Sequence, residues 1–212
     1  MKRLLVALLL TSSVPAALAD TPVAKTAPAT SGPGTAVIKQ VNETIAAQLK
    51  QKVTAGSPEE KALAAKVTAG VRSFLDIDQL GKRAMVDNWS KLTKAQQNEF
   101  QSLLRALIED NYVRGLRANV AYQVAYTGES TDKDGNILVT TTIKAERKGR
   151  PFSIAIDYVL VKEGDKLRAF DIKTDGVGLV ENYRTMFNKI IAKDGFDGLI
   201  AKMKKKQAAT GT

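Results

Sequence analysis

The chain contains neither histidine nor cysteine in its 212 residues. Ser-His-Asp and Cys-His nucleophilic sites, zinc sites built on His or Cys, and iron–sulfur clusters are therefore excluded. Any catalytic chemistry would have to use carboxylates, lysine or tyrosine, and no disulfide can stabilise the fold. Because 44% of the residues are hydrophobic, we expect one globular domain that is held together by its apolar core alone.

Residues 1–19 have the pattern of a secretory signal peptide. The cationic start MKR precedes the apolar run LLVALLL, and Ala17-Leu18-Ala19 supplies the small residues that signal peptidase accepts. The apolar run is too short to remain as a membrane-spanning helix. We predict cleavage before Asp20 and export, and the absence of cysteine fits a bacterial periplasm.

The next segment, residues 20–36, holds three prolines and two glycines and has Val23 as its one large apolar residue. Such a segment cannot bury enough apolar surface to offset its ordering entropy, so we predict a flexible linker. The folded domain is then expected over residues 37–206, followed by a disordered tail at 207–212.

Helical periodicity extends from residue 36 to about residue 119. The first stripe has a spacing of four residues, and Ser57-Pro58-Glu59-Glu60 has the cap, proline and glutamate order of a second helix start. Thr93 and Gln96 form a similar capping box before a long helix with a wide apolar face. We predict four helices before any strand, the first of them with the stripe Val37, Val41, Ile45 and Leu49.

From residue 120 the apolar period changes to two. Four such runs are separated by the turn sequences DKDG, RKGR and KEGD, which favours an antiparallel meander with one apolar face. A helix follows and ends at Gly195 before a short basic terminal helix. The predicted class is α+β, with a helical N-terminal part packed on a curved, mainly four-stranded antiparallel sheet.

Three stretches carry a family resemblance. Residues 80–116, LGKRAMVDNWSKLTKAQQNEFQSLLRALIEDNYVRGL, resemble the Leu-Gly, Trp, Leu-Thr, Gln, Glu-Phe, Leu-Leu and Tyr spacing of the MlaC family, also known as toluene-tolerance auxiliary proteins. Residues 167–187, LRAFDIKTDGVGLVENYRTMF, and the ending FDGLIAKMKKK are similar to two further motifs of that family. Gly178 and Leu167 depart from the pattern, which commonly has Ser and Trp at these places.

This resemblance implies a nuclear-transport-factor-like core with added helices and a phospholipid held between sheet and helices. It also implies a periplasmic carrier that moves lipid between an outer-membrane lipoprotein complex and an inner-membrane ABC transporter. We expect a monomer that needs no cofactor, binds no metal and no nucleic acid, and has no catalytic residue.

The residues expected to line the lipid cavity come from the apolar strand faces and the helix stripes. Without the resemblance, a filled core would be the preferred interpretation of the same faces, and the resemblance reverses that preference. The predicted lipid-binding residues are Phe74, Leu80, Leu104, Val124, Val139, Ile143, Ile154, Ile156, Tyr158, Tyr183 and Phe187.

The segment from Asp171 to Phe187 contains a strand end, two glycines and a helix start. Asp171 and Arg184 could be catalytic, but a carboxylate and an arginine across a corner more often form a structural pair. We expect Arg184 to hydrogen-bond Asp171 or the backbone carbonyls of residues 174–178.

Three other interpretations stay open. Nuclear-transport-factor-like cavities also host isomerases that use an Asp base and a Tyr donor, and Asp157 with Tyr158 or Asp171 with Tyr183 could take these parts. A hopanoid or another lipid could replace the phospholipid. A scaffold protein could use its positive charge to sit on anionic headgroups.

Eight of the basic residues form two clusters along the sequence. Without Lys2 and Arg3 the chain has 30 basic and 22 acidic residues, a net charge of +8. We expect weak, fast and salt-sensitive docking to an anionic membrane or an acidic partner. The clusters comprise Lys202, Lys204, Lys205 and Lys206, and Lys144, Arg147, Lys148 and Arg150.

Overall fold

A computed structural model describes residues 31–49, 51, 53–54, 56–115, 122–147 and 150–210. The predicted signal peptide and most of the predicted linker lie outside these ranges. The described chain begins with helices: α1 (Pro33–Leu49), α2 (Pro58–Phe74), α3 (Ile77–Ala84), a short 3-10 turn (Trp89–Lys91) and α4 (Lys94–Gly115). The strands follow as β1 (Tyr122–Thr131), β2 (Ile137–Arg147), β3 (Arg150–Glu163), β4 (Lys166–Thr174) and β5 (Val177–Gly178), before the long helix α5 (Leu179–Thr210).

The two ends of the folded part differ from the expected boundaries. Helix α1 begins at Pro33, inside the segment assigned to the linker, and α5 continues to Thr210, inside the expected disordered tail. The early start of α1 has a physical cause that local composition does not show: a carboxylate from a distant strand binds its first turn, as described below.

The two predicted capping sites are confirmed. The Ser57 hydroxyl accepts a hydrogen bond from the Glu60 amide at 3.2 Å, and the Glu60 carboxylate accepts one from the Gly56 amide at 2.7 Å. Thr93 and Gln96 bond each other reciprocally, side chain to backbone, at 3.3 and 2.9 Å. These bonds satisfy backbone donors that a helix start otherwise leaves unpaired, which fixes where α2 and α4 begin.

The sheet is an antiparallel meander in the order β1-β2-β3-β4-β5, so the prediction of four main strands is confirmed with the two-residue β5 added. The register places Val124, Ile143 and Ile154 side by side across three strands. It likewise aligns Val139 with Tyr158. Since alternate residues share a face, one side of the sheet is apolar, as the period of two predicts.

The helices bury this apolar face. On the helical side, the Phe100 and Phe187 rings of α4 and α5 pack edge to face with centroids 5.3 Å apart. Helix α2 reaches the sheet through Phe74, whose ring centroid lies 6.0 Å from that of Tyr158. The core is therefore a helix layer on one sheet face, and none of the described helices is long and apolar enough to cross a membrane.

Helix α5 is interrupted at Gly195, where the sequence predicted an end. Gly195 has φ 71° and ψ 179°, a conformation that is accessible almost only to glycine. The basic terminal segment therefore leaves at an angle to the first part of α5.

The start of α5 shows that the expected Asp171–Arg184 contact is wrong. The Asp171 carboxylate accepts the Val180 amide at 3.1 Å, and a Cβ at Gly178 would lie only 2.5 Å from its second oxygen. Arg184 instead donates to the Arg83 carbonyl at 3.0 Å, at the end of α3. The Asp171 carboxylate thus lies at the start of α5, where backbone amides are unpaired, and the Arg184 guanidinium lies at the end of α3, where carbonyls are unpaired. A negative charge is stabilised at a helix start and a positive charge at a helix end.

Helix α1 is fastened to the sheet by Glu129 of β1. One carboxylate oxygen accepts the Gly34 amide at 3.2 Å, and the other accepts the Thr35 amide and hydroxyl, each at 2.7 Å. Burial opposes the negative charge, but the bonds from Thr35, Gly34 and Gly32 outweigh it and hold the pKa of Glu129 below its usual value. A charged carboxylate thus stabilises the first turn of α1.

We predict that Glu129→Gln lowers the free energy of unfolding at pH 7 by about 0.5–2 kcal/mol, the range for the loss of a helix cap. Because the folded pKa is depressed, this contribution is complete above the unfolded value of about 4.3 and is lost as the pH falls through the folded pKa. Urea unfolding of both proteins from pH 7 to pH 3 should therefore show a difference in the free energy of unfolding that disappears in acid.

The matched control is Glu43→Gln, an exposed position on the same helix. This exchange should change the free energy of unfolding by less than about 0.5 kcal/mol at either pH. If Glu129→Gln lowers the free energy of unfolding equally at pH 3 and pH 7, the proposed role of the charge is contradicted.

Candidate functional site

The apolar side chains between sheet and helices are not buried uniformly. Around Val139, Leu160 and Phe187 the apolar side chains are fully buried. At the end of the sheet where β1 starts and β3 begins, large apolar side chains stay half-buried, and they include Tyr122, Val124, Phe152 and Ile154 from the strands with Tyr112, Tyr183 and Met186 from the helices. The same apolar face is therefore packed at one end and accessible at the other.

This accessible surface lies deep in the protein. Burial raises the pKa of Tyr112 to about 12, with Tyr183 adding to the effect, and burial alone raises the pKa of Tyr183 to about 12. Phenols in contact with bulk water would not lose solvation in this way. Much of each phenol is therefore shielded from bulk water by the surrounding side chains.

All five tyrosines of the chain belong to this region. Burial, and then the neighbouring Tyr112, Tyr122 and Tyr126, raise the pKa of Tyr158, while a hydrogen bond with Asn42 opposes the rise. Asn42 also donates to the Tyr126 hydroxyl at 3.2 Å. The tyrosines therefore form one group, and Asn42 hydrogen-bonds one of them, Tyr126.

A cleft of about 780 Å³ opens between α1, α2 and the turn that joins β3 to β4. Its volume lies within the range of about 300–1,000 Å³ that is usual for small-molecule sites. Lys162, Asp165 and Lys166 stand at its polar side, and its apolar walls are Pro33, Val37, Val41, Ile45, Phe74, Ile137 and Leu167. Phe74 lines this cleft and its ring packs against Tyr158, so the cleft reaches the apolar core.

The predicted lining residues all belong to the apolar core, but they differ in accessibility. Leu80, Leu104, Val139 and Phe187 are at most 1% exposed and fill the core. Ile143, Ile156 and Tyr158 are buried with 6–9% exposed, and Phe74 lines the cleft. Val124, Ile154 and Tyr183 are half-buried at the open end. That these residues contact lipid stays a prediction.

Several residues of the site were not predicted from the sequence. Val37, Val41 and Ile45 were recognised as a helical stripe but not as a wall, because periodicity shows which side is apolar and not what faces it. Tyr112 lies within the wide apolar face predicted for α4 but was not singled out, and Asn42 carried no signal. Leu167 had a signal, since it stands where the family pattern commonly has Trp.

In the fold, the acids and phenols of the isomerase interpretation have other neighbours. Asp157 lies opposite Lys173 in the ladder and, as a neighbour of Tyr158 along β3, points to the other face. Burial raises the pKa of Asp157, and Lys173 acts against the rise. Asp171 caps α5, while the Tyr183 ring stacks on Phe187 with centroids 5.3 Å apart. Among the described residues, no group of three or more acidic side chains could hold a metal ion.

The lysines of the terminal helix are partly neutralised. Lys202 pairs with Asp194, and Lys204 pairs with Glu99 at 2.7 Å. Burial, and then the nearby Arg114, lower the pKa of Lys206. In the second cluster, Lys148 and the side chain of Arg147 lie outside what the structure describes. The expected charge cluster on α5 is therefore weaker than its sequence indicates.

Comparisons with known proteins agree on one family. The family model described as "MlaC protein" matches residues 39–205. A similar solved structure is that of the phospholipid-binding protein from Ralstonia solanacearum in complex with a phospholipid, with a TM-score of 0.66 and 25% sequence identity. The match covers 84% of this chain and 98% of that one. No curated protein sequence matches the chain. Because the family model matches most of the chain, the chain belongs to the MlaC family.

Proposed function

We propose that the protein is a periplasmic carrier that binds phospholipid by its acyl chains between the sheet and the helices. The observation that carries this proposal is the half-buried apolar surface at one end of the sheet, around Val124, Ile154 and Tyr183. It is supported by membership of the MlaC family and by the likeness to a structure that contains a phospholipid.

The energetics of lipid transfer explain why such a space is useful. Two acyl chains with about 30 methylenes in all would cost on the order of 24 kcal/mol in water, at about 0.8 kcal/mol per methylene. Apolar walls on a carrier offset most of that cost. Exchange between a bilayer and the protein is then close to balance, and the donor or the acceptor can set the direction.

The proposed route runs between an outer-membrane lipoprotein complex and an inner-membrane ABC lipid transporter. Both are partners that the family implies. The basic side chains suit brief docking, because long-range attraction speeds association without a large apolar interface. Lys205 is exposed on the terminal helix, and Lys162 and Lys166 are exposed beside the cleft.

The first test is the content of the purified protein. Extraction with organic solvent followed by mass spectrometry should recover phospholipid, because a dry apolar space retains acyl chains through purification. Recovery of a hopanoid would still support a lipid carrier, but one that carries a lipid other than phospholipid. A small polar metabolite would support the isomerase-type enzyme, and a protein that stays free of lipid even after incubation with phospholipid vesicles would contradict the proposal.

The second test places a charge in the interlayer space. Ile154→Glu should lower the amount of bound phospholipid by about tenfold or more, because a carboxylate in apolar surroundings costs several kcal/mol. Ile154 is only half-buried, so the fold should persist in a circular dichroism spectrum. Bound lipid per protein, measured by mass spectrometry, decides the outcome.

The matched control is Ser153→Glu, which adds the same charge one residue earlier on the exposed face of β3. It should retain wild-type lipid content. Equal lipid loss in both variants, or none in either, would show that the open end of the apolar face does not hold the acyl chains.

A further inference from the structure

The cleft between α1, α2 and the β3–β4 turn lies at the opposite end of the sheet from the half-buried surface of the proposed phospholipid site. Along β3 the apolar face begins with half-buried Ile154 and ends with Lys162, which lines the cleft. Between them Ile156, Tyr158 and Leu160 are buried and at most 9% exposed. The packed core therefore separates the two accessible regions, so a molecule in the cleft leaves the phospholipid site free.

The wall that α1 contributes to the cleft is an apolar stripe. Val37, Val41 and Ile45 line the cleft and stay half-buried, whereas Ile38 of the same helix is fully buried in the core. Phe74 contributes apolar surface from α2. Because burial of apolar surface is favourable in proportion to its area, a hydrocarbon chain that covers this stripe is stabilised there.

The size of the cleft limits the ligand to one acyl chain. A methylene group takes up about as much liquid volume as a water molecule, on the order of 30 Å³. The cleft of about 780 Å³ thus accommodates a chain of 16 carbons together with a head group. Two chains with about 30 methylenes in all would need on the order of 900 Å³ without any head group.

The charges of the cleft favour an anionic head group. Lys162 lies opposite Leu167 in the ladder, on the face of β3 that is apolar elsewhere. Neither Lys162 nor Lys166 forms an ion pair with the described residues, and both are exposed. Asp165 is the one carboxylate among the described residues that line the cleft, so two positive charges face one negative charge. A long lysine side chain can lie along apolar surface and present its ammonium group to an anion.

We propose that this cleft is a second ligand site, which binds an amphiphile with one acyl chain and one anionic head group, as in a fatty acid or a lysophospholipid. The chain lies against Val41, Ile45 and Phe74, and the head group lies at Lys162 and Lys166. The inference does not depend on the proposed function, because the two sites are separate.

Native mass spectrometry of the protein as purified tests the site. Palmitate and 1-palmitoyl-lysophosphatidylglycerol are titrated separately, and each spectrum counts the probe molecules and the phospholipids on one chain. We expect one probe molecule per chain without release of bound phospholipid, and the tighter of the two probes identifies the head group. Hexadecyltrimethylammonium, which has a chain of the same length and a positive head group, should bind at least tenfold more weakly.

Two variants test the two parts of the site. Ile45→Glu should weaken binding of both probes by about tenfold or more, because it places a carboxylate on the apolar wall. Its matched control is Ala47→Glu, at an exposed position of the same helix that does not line the cleft. Lys162→Gln/Lys166→Gln should weaken binding by roughly fivefold, the usual range for two exposed charge contacts.

The lysine variant decides the outcome if Ile45→Glu does not fold, since both lysines are exposed. Its control is Lys39→Gln/Lys205→Gln, which removes two exposed lysines outside the cleft. Release of phospholipid by the probes, equally tight binding of the cationic probe, or wild-type binding by the lysine variant would overturn the inference and leave the phospholipid carrier intact. A protein that binds palmitate in the cleft but takes up no phospholipid would instead overturn the proposed function.

Discussion

The apolar face of the five-stranded sheet must be removed from water, and the arrangement of the helices follows from that requirement. A sheet of this kind buries one face and leaves the other solvated. Here α1, α2, α3 and α5 lie against the strands, and α4 packs on α2, α3 and α5. The helices supply Phe74, Leu80, Phe100 and Phe187 to the core. The covering is tight where these side chains interlock, and it leaves accessible apolar surface around Val124, Ile154 and Tyr183. The same hydrophobic requirement that folds the chain thus also produces the candidate site.

The helices around this space are held by polar contacts at their ends. Glu129, from one edge strand, binds the first turn of α1, and Asp171, near the opposite edge, binds the first turn of α5. Arg184 then ties α5 to the end of α3. Each contact joins a charged side chain to backbone groups that a helix end leaves unpaired. Fixing a helix at its end leaves the side-chain surface along its length free for a ligand.

Local signals in the sequence were sufficient for much of this fold. The Ser57 and Thr93 caps, the change of period near residue 120 and the glycine at 195 predict elements because each depends on neighbours within a few residues. The partners of Glu129, Asp171 and Arg184 depend on segments about 9–100 residues away. Residue type alone suggested an Asp171–Arg184 pair, and it could not reveal that helix ends compete for both groups.

The candidate site was predictable to a similar extent. Alternation correctly placed Val124, Ile154 and Ile156 on one face of the sheet, since strand geometry allows no other arrangement. Which of them would be sealed and which would stay accessible depends on where α4 and α5 cross the sheet. Periodicity contains no information on that crossing, so Leu80 and Leu104 could not be distinguished from Tyr183 before the structure.

The central claim is that acyl chains lie between the sheet and the helices at its open end. Photolabelling tests it most directly, with a phospholipid that carries a diazirine near the end of one acyl chain. After irradiation and digestion, the account predicts adducts on peptides that contain Val124, Ile154 or Tyr183. Adducts confined to exposed outer positions, such as those around Lys133 of the β1–β2 turn or Lys193 of α5, would contradict it.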